Sequence, residues 1–289
     1  MTIVYDPQCA DYGSSMRPEQ PARVLKSANR LKENHPAWIW RGPAAADEAT
    51  VLAAHTPALL RRIGHGPDID EDTPHFPGIR EHALRAVGAA LEAARLARAG
   101  EKVFSLMRPP GHHATRAQAM GFCYLNSIAI AALHAAVSGA RVAVWDFDAH
   151  HGNGTEDILR GRAGLFFASV HQYPGYPGTG TASGDNIANF PVAPHTPREQ
   201  HMAELARSWA AVLAFKPDLI LVSAGFDAYV GDPITSMTLG AEDFAELGRW
   251  LGQAACPAAA VLEGGYSPDL PQLIDAFLSA WENEPLTKH

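Results

Sequence analysis

Five short, largely apolar runs, at 102–107, 141–147, 165–170, 219–223 and 258–262, limit the folds open to this chain more than any other feature of it. A strand exposed on one face alternates apolar and polar residues, whereas a run that stays apolar throughout must be covered on both faces. Between the runs lie longer, helix-favouring stretches at 83–98, 122–137, 197–214, 241–253 and 269–282. Strands alternating with helices predict an α/β fold with a central, mostly parallel sheet between helical layers.

The chain has 289 residues, 47% of them apolar and 19% charged, which excludes a disordered chain and supplies one sizeable core. No repeat, charge block or low-complexity linker divides it, so a single domain over 1–289 is expected. Lys and Arg number 23 against 31 Asp and Glu, a formal charge of −8. Such a balance offers no basic field to a phosphate backbone, and nucleic acid is not expected as a partner. Cys9, Cys123 and Cys256 are too far apart for a zinc ribbon, and their odd number argues against a disulfide framework, so a reducing cytoplasm is the expected compartment. The start, Met1-Thr2-Ile3-Val4-Tyr5-Asp6, lacks the pattern of a signal peptide, and no later apolar run reaches membrane-spanning length. No heptad pattern fixes an oligomeric state, and a homo-oligomer is compatible with the sequence.

Each apolar run ends in a turn rich in reactive side chains. In chain order these are Arg108-Pro109-Pro110-Gly111-His112-His113, Asp146-Phe147-Asp148-Ala149-His150-His151-Gly152-Asn153-Gly154, Ser169-Val170-His171, Ala224-Gly225-Phe226-Asp227 and Glu263-Gly264-Gly265-Tyr266. In open α/β sheets the site lies beyond the carboxyl ends of the strands, so these turns are expected to converge.

Asp148 and His150, two apart at a strand end, point to the same side and can share a metal ion. Asp227 adds a third donor, giving one nitrogen and two oxygens with room for water. That is the pattern of an open catalytic site, with zinc the default and iron(II) or cobalt also suited to it. Taken singly, Asp148 and Asp227 would serve equally well as helix caps; their shared position at strand ends makes them a set. His112 and His113 follow a rigid Pro-Pro-Gly turn and, beside a metal, can manage protons near neutral pH. Asp146 could hold one imidazole in its tautomer or help bind a monovalent cation. Tyr266 follows a Gly-Gly turn that admits a phenol to a crowded site, where it could donate to an oxyanion or be a simple core aromatic. Gly121-Phe122 and Tyr176 are candidate walls of an apolar channel.

Together with Gly121-Phe122-Cys123-Tyr124-Leu125-Asn126, these turns resemble the histone deacetylase and acetylpolyamine amidohydrolase superfamily in order and over nearly the whole chain. The resemblance implies an arginase-like and deacetylase-like three-layer α/β/α fold. It further implies a zinc-dependent hydrolase of linear amides that removes acetyl or other acyl groups from lysine side chains in proteins or peptides. By the same likeness Asp148, His150 and Asp227 hold zinc, His113 is the general base and acid, and His112, oriented by Asp146, is its electrostatic partner. Tyr266 polarises the acyl carbonyl. Gly121, Phe122 and Tyr176 look like the acyl-lysine tunnel, Gly264 and the rim residue Ile234 are placed against substrate, and Asp72 looks like the rim carboxylate that grips the substrate backbone. Arg23 resembles the family's arginine near the acetate exit. A structural potassium ion is implied around Asp146, with backbone oxygens of Asp148, His150 and Val170 and the Ser169 hydroxyl.

Three positions refine the likeness. Asn153 stands where some members place a second carboxylate, as in the class II and bacterial branch. Asp227-Ala228-Tyr229 lacks the second carboxylate of the two-manganese arginases, which favours one metal ion. Ile234, after Gly231-Asp232-Pro233, is apolar where polyamine-selective relatives are acidic. The rival readings are an acetylpolyamine amidohydrolase and a non-catalytic acyl-lysine-binding protein.

Overall fold

Among the described residues eight strands form one sheet: β1 (Thr2–Val4), β2 (Ile39–Arg41), β3 (Val103–Ser105), β4 (Val142–Asp146), β5 (Leu165–Gln172), β6 (Ile187–Val192), β7 (Leu219–Ala224) and β8 (Ala258–Leu262). The structure is a computed structural model describing residues 1–283, so the end of the expected domain, at 289, lies outside the described residues. In space the order is β2-β1-β3-β8-β7-β4-β5-β6, and every pairing is parallel. The five strands expected from the sequence are the five contiguous inner ones. Every residue of β4, β7 and β8 is buried, as continuous apolar runs require. The three strands with no such signal lie toward the edges. β2 is exposed at both ends, β6 carries Pro191, and β1 has only three residues.

The helices are α1 (Ala22–Asn34), α2 (Glu48–Leu52), α3 (Pro57–Gly64), α4 (Ile79–Arg98), α5 (Ser127–Ala136), α6 (Asn153–Leu159), α7 (Arg198–Ala214), α8 (Ala241–Gly252) and α9 (Leu270–Asn283). The chain crosses the sheet in one direction through β3, β4, β5 and β6, then returns through β7 and β8. With right-handed crossovers, that reversal sends α4, α5 and α6 to one face and α7 and α8 to the other. Trp145 on β4 packs against Trp209 of α7 (ring centroids 4.7 Å), and Phe147 against Phe244 of α8 and Phe277 of α9. Burying each such ring contributes about 1.5–3 kcal/mol. Among the described residues no helix is long and apolar enough to cross a membrane.

The stretch expected to be helical from 122 begins as a helix only at Ser127. Phe122 sits at φ +67, outside the helical region, and the Asn126 side chain caps the helix by accepting the Ala129 N–H (3.0 Å). The delay leaves Gly121 and Phe122 in a loop above the carboxyl edge of the sheet.

Candidate active site

The turns after β3, β4, β7 and β8 meet because those four strands are consecutive in the sheet. The donor atoms of Asp148, His150 and Asp227 lie within 4.8 Å of one another. His150 Nδ1 is 3.2 Å from Asp148 Oδ1 and 2.9 Å from Asp227 Oδ2. Each carboxylate is anchored through its other oxygen: Asp148 Oδ2 accepts the Gly264 N–H (2.7 Å), and Asp227 Oδ1 accepts the Ala149 N–H (2.7 Å). Both approaches need a missing side chain. A Cβ on Gly225 would stand 2.0 Å from Asp148 Oδ2, and one on Gly264 would stand 2.2 Å from Asp227 Oδ2. Burial lowers the affinity of His150 for a proton, but Asp227 and Asp148 outweigh it and raise the imidazole well above its usual value. Two buried carboxylates here demand positive charge, and this one-nitrogen, two-oxygen set fits a zinc ion.

His112 and His113 pack at 4.1 Å between ring centroids in sharply different surroundings. His112 Nδ1 donates to Asp146 Oδ2 (3.0 Å), and its Nε2 lies 3.8 Å from Asp148 Oδ1. Burial opposes a charge on this ring, yet Asp148 and then Asp146 raise it to about 10. His113 Nδ1 instead faces Asn153 Oδ1 at 2.8 Å. An amide oxygen only accepts, so Nδ1 carries the hydrogen and Nε2 keeps its lone pair. Burial, followed by repulsion from His112, holds His113 well below the ordinary histidine range. The two adjacent imidazoles are thereby pushed in opposite directions, His112 toward holding a proton and His113 toward losing it.

Asp72, His113, Gly121, Phe122, His150, Tyr176, Ile234 and Tyr266, all expected at the site, line one cavity of about 230 Å³ together with Pro18. Gly121, at φ +56, permits its close walls: a Cβ there would meet His113 Cδ2 at 2.7 Å and Tyr176 at 3.0 Å. The Phe122 and Tyr266 rings approach edge to face at 5.6 Å. Tyr176 and Ile234, 40% and 38% exposed, mark the mouth.

Three expectations fall elsewhere. Gly264 is not among the residues lining the cavity, and its backbone N–H is given to Asp148 Oδ2. Arg23 is buried against the Gly-Gly turn, with Nε donating to the Gly265 carbonyl (2.7 Å) and its guanidinium 4.8 Å above the Tyr266 ring. Ser169 and Val170 lie on β5, with Ser169 in register beside Asp146. His171 Nε2 faces the Gly180 carbonyl (3.0 Å), so its Nδ1 accepts the Ser169 hydroxyl hydrogen (2.9 Å) and leaves that oxygen's lone pairs uncommitted.

Sequence reasoning missed two carboxylates and a wall. Glu263 Oε2 accepts the N–H groups of Gly111 (2.7 Å) and His112 (3.1 Å), bracing the histidine turn, while Oε1 accepts the Ser223 hydroxyl (3.1 Å). Asp232 accepts the Tyr266 N–H (2.8 Å). A glutamate directly after a buried strand was the available clue to the first. Pro18 enters the cavity from a segment with no chemical mark of its own.

The family model for the histone deacetylase domain matches residues 17–281. The chain is 37% identical over 278 residues to a probable deacetylase of Archaeoglobus fulgidus, covering 88% of this chain and 77% of that protein. It is 36% identical over 270 residues to acetylpolyamine amidohydrolase 2 of Pseudomonas aeruginosa, covering 86% and 78%. The crystal structure of an acetylpolyamine aminohydrolase from Burkholderia pseudomallei aligns with a TM-score of 0.88 at 26% identity, over 98% of this chain and 99% of that one. With nearly its whole length matched in sequence and in fold, the chain belongs to the histone deacetylase domain family.

Proposed function

We propose that this protein is a single-domain, zinc-dependent amidohydrolase that removes acetyl or other acyl groups from lysine side chains. The observation that carries the reading is the cavity, which opens between Tyr176 and Ile234 and brings His113 and Tyr266 to the ligand His150. Asp148, His150 and Asp227 would hold the zinc ion, which when bound would supply Lewis acidity toward the acyl oxygen and a water molecule. His113 accepts the proton of the attacking water at Nε2 as the oxygen bonds to the acyl carbon. It returns that proton to the leaving amine as the C–N bond breaks. His112, kept cationic by its carboxylate partners, stabilises the negative charge that develops, and the Tyr266 hydroxyl donates to the oxyanion. Phe122 and Tyr176 enclose the alkyl chain, and Asp72 at the rim accepts from the substrate backbone.

Asp146, the Ser169 hydroxyl and backbone oxygens of Asp148, His150 and Val170 are the proposed ligands of a structural potassium ion, supported by the uncommitted lone pairs of Ser169. Unpaired Cys9, Cys123 and Cys256 support a cytoplasmic protein.

A second reading, an acetylpolyamine amidohydrolase, is favoured by the name of the Pseudomonas relative and by Asp68, Asp70, Glu71 and Asp72 in the rim loop. Apolar Ile234 at the mouth favours the lysine substrate. Catalytic efficiency of zinc-reconstituted protein on an acetyl-lysine peptide and an acetylated diamine, with a chelator control, decides between them. Chelator-sensitive preference for the peptide is expected; preference for the diamine supports the second reading, and turnover that survives the chelator refutes both.

A further inference from the structure

Between β7 and α8 the chain carries Asp227 near its start and Ile234 at the cavity rim. Midway, Asp232 is only 7% exposed. A buried carboxylate is tolerated where its oxygens are hydrogen-bonded, and both of these are. Oδ1 accepts the Ile234 N–H (3.1 Å), two residues on, as in an Asx turn. Oδ2 accepts the Tyr266 N–H (2.8 Å) from the turn after β8.

The second bond matters because of the peptide unit to which it belongs. The Gly265 carbonyl and the Tyr266 N–H are two ends of one rigid plane. Arg23 donates to the carbonyl end (2.7 Å) while Asp232 accepts from the N–H end. Gly265 sits at φ +112, and a Gly-Gly turn has no side chains with which to fix itself. The plane is therefore held from outside, by a guanidinium at one end and a carboxyl group at the other. Its orientation sets the direction in which the Tyr266 side chain leaves the backbone.

Building on the amidohydrolase reading, we infer that Asp232 is a positioning residue for Tyr266: it clamps the Gly265–Tyr266 peptide plane opposite Arg23 and ties that plane to the cavity rim at Ile234. It touches no substrate and acts only through the phenol. Asn at this position keeps one acceptor oxygen and turns an N–H toward a donor, so one of the two bonds is lost. Ser can still serve Ile234 through a local turn but is too short to reach Tyr266.

The test is a double-mutant cycle in zinc-loaded protein on an acetyl-lysine peptide. Asp232→Asn and Asp232→Ser should each keep one zinc per chain and lower kcat about tenfold to a hundredfold, the scale of a displacement near 1 Å. KM should stay within about threefold, because ground-state binding is untouched. In a Tyr266→Phe background the same substitutions should cost less than about twofold, since the group they position is gone. Losses that multiply with Tyr266→Phe overturn the inference, as does wild-type kcat in Asp232→Ser, the variant that keeps the rim turn should the Asn chain fold poorly. A wild-type protein without turnover overturns the amidohydrolase reading and this inference with it.

Discussion

His112 and His113 are neighbours in the chain whose proton affinities are pushed apart, His112 upward by Asp148 and Asp146 and His113 downward by burial and by His112 itself; the group each Nδ1 meets differs as well. A carboxylate, Asp146, faces the first, and the Asn153 amide oxygen faces the second. Replacing that amide with a carboxylate, Asn153→Asp, stabilises protonated His113 and raises its pKa. A base is lost when it is protonated, so the acid limb of kcat/KM should move upward by about one unit or more in a pH–rate profile. Tyr266→Phe should retain zinc by metal analysis while turnover falls about a hundredfold to a thousandfold, the usual loss of one oxyanion donor. His112, Asp148 and Asp227 were legible as candidates because such residues recur together in the turns that follow the apolar runs. Their protonation was not, because it depends on partners that folding brings from other strands.

At the scale of elements, α5 shows how a helix start can serve a site. Asn126 caps it, and the same amide donates to the Ala114 carbonyl (3.1 Å) and the Thr155 hydroxyl (3.2 Å). The cap thus joins the histidine turn to the first turn of α6. Asn126→Ala removes the cap and leaves a buried carbonyl without its donor, which together should cost about 2–4 kcal/mol. Thermal unfolding should show a drop of several degrees, with a loss of turnover from the freed histidine turn. The inner strands were found from sequence because burial on both faces leaves a continuous apolar run. β1, β2 and β6 escaped because short or edge strands need no such run, and helix α1 was not anticipated although its buried Val24, Ala28 and Leu31 recur at helical spacing.

For the whole molecule, the proposed ligand set joins two strand ends, β4 and β7, and on that reading metal binding is linked to folding. Zinc at about a hundred times its dissociation constant should stabilise the native state by about 2.7 kcal/mol. The melting temperature should rise by several degrees on zinc addition, fall back with a chelator, and stop responding to zinc in Asp227→Ala, which a calorimetric titration would check. A zinc-independent melting temperature in the wild type would refute the ligand assignment.

The sequence by itself determined the fold class, the inner strands and the residues that converge at their ends. Apolar runs and strand-end chemistry are local properties, and the rule that α/β sites form at carboxyl edges carries them into three dimensions. Only the tertiary structure decided which partners those residues bond to. Gly264 turned out to hold the Asp148 carboxylate, Glu263 to brace the histidine turn and Asp232 to accept from the Tyr266 peptide, because each of those bonds joins groups far apart in the chain. A hydrogen bond is specified by distance and direction, and neither exists until the strand order β3-β8-β7-β4 sets those turns side by side.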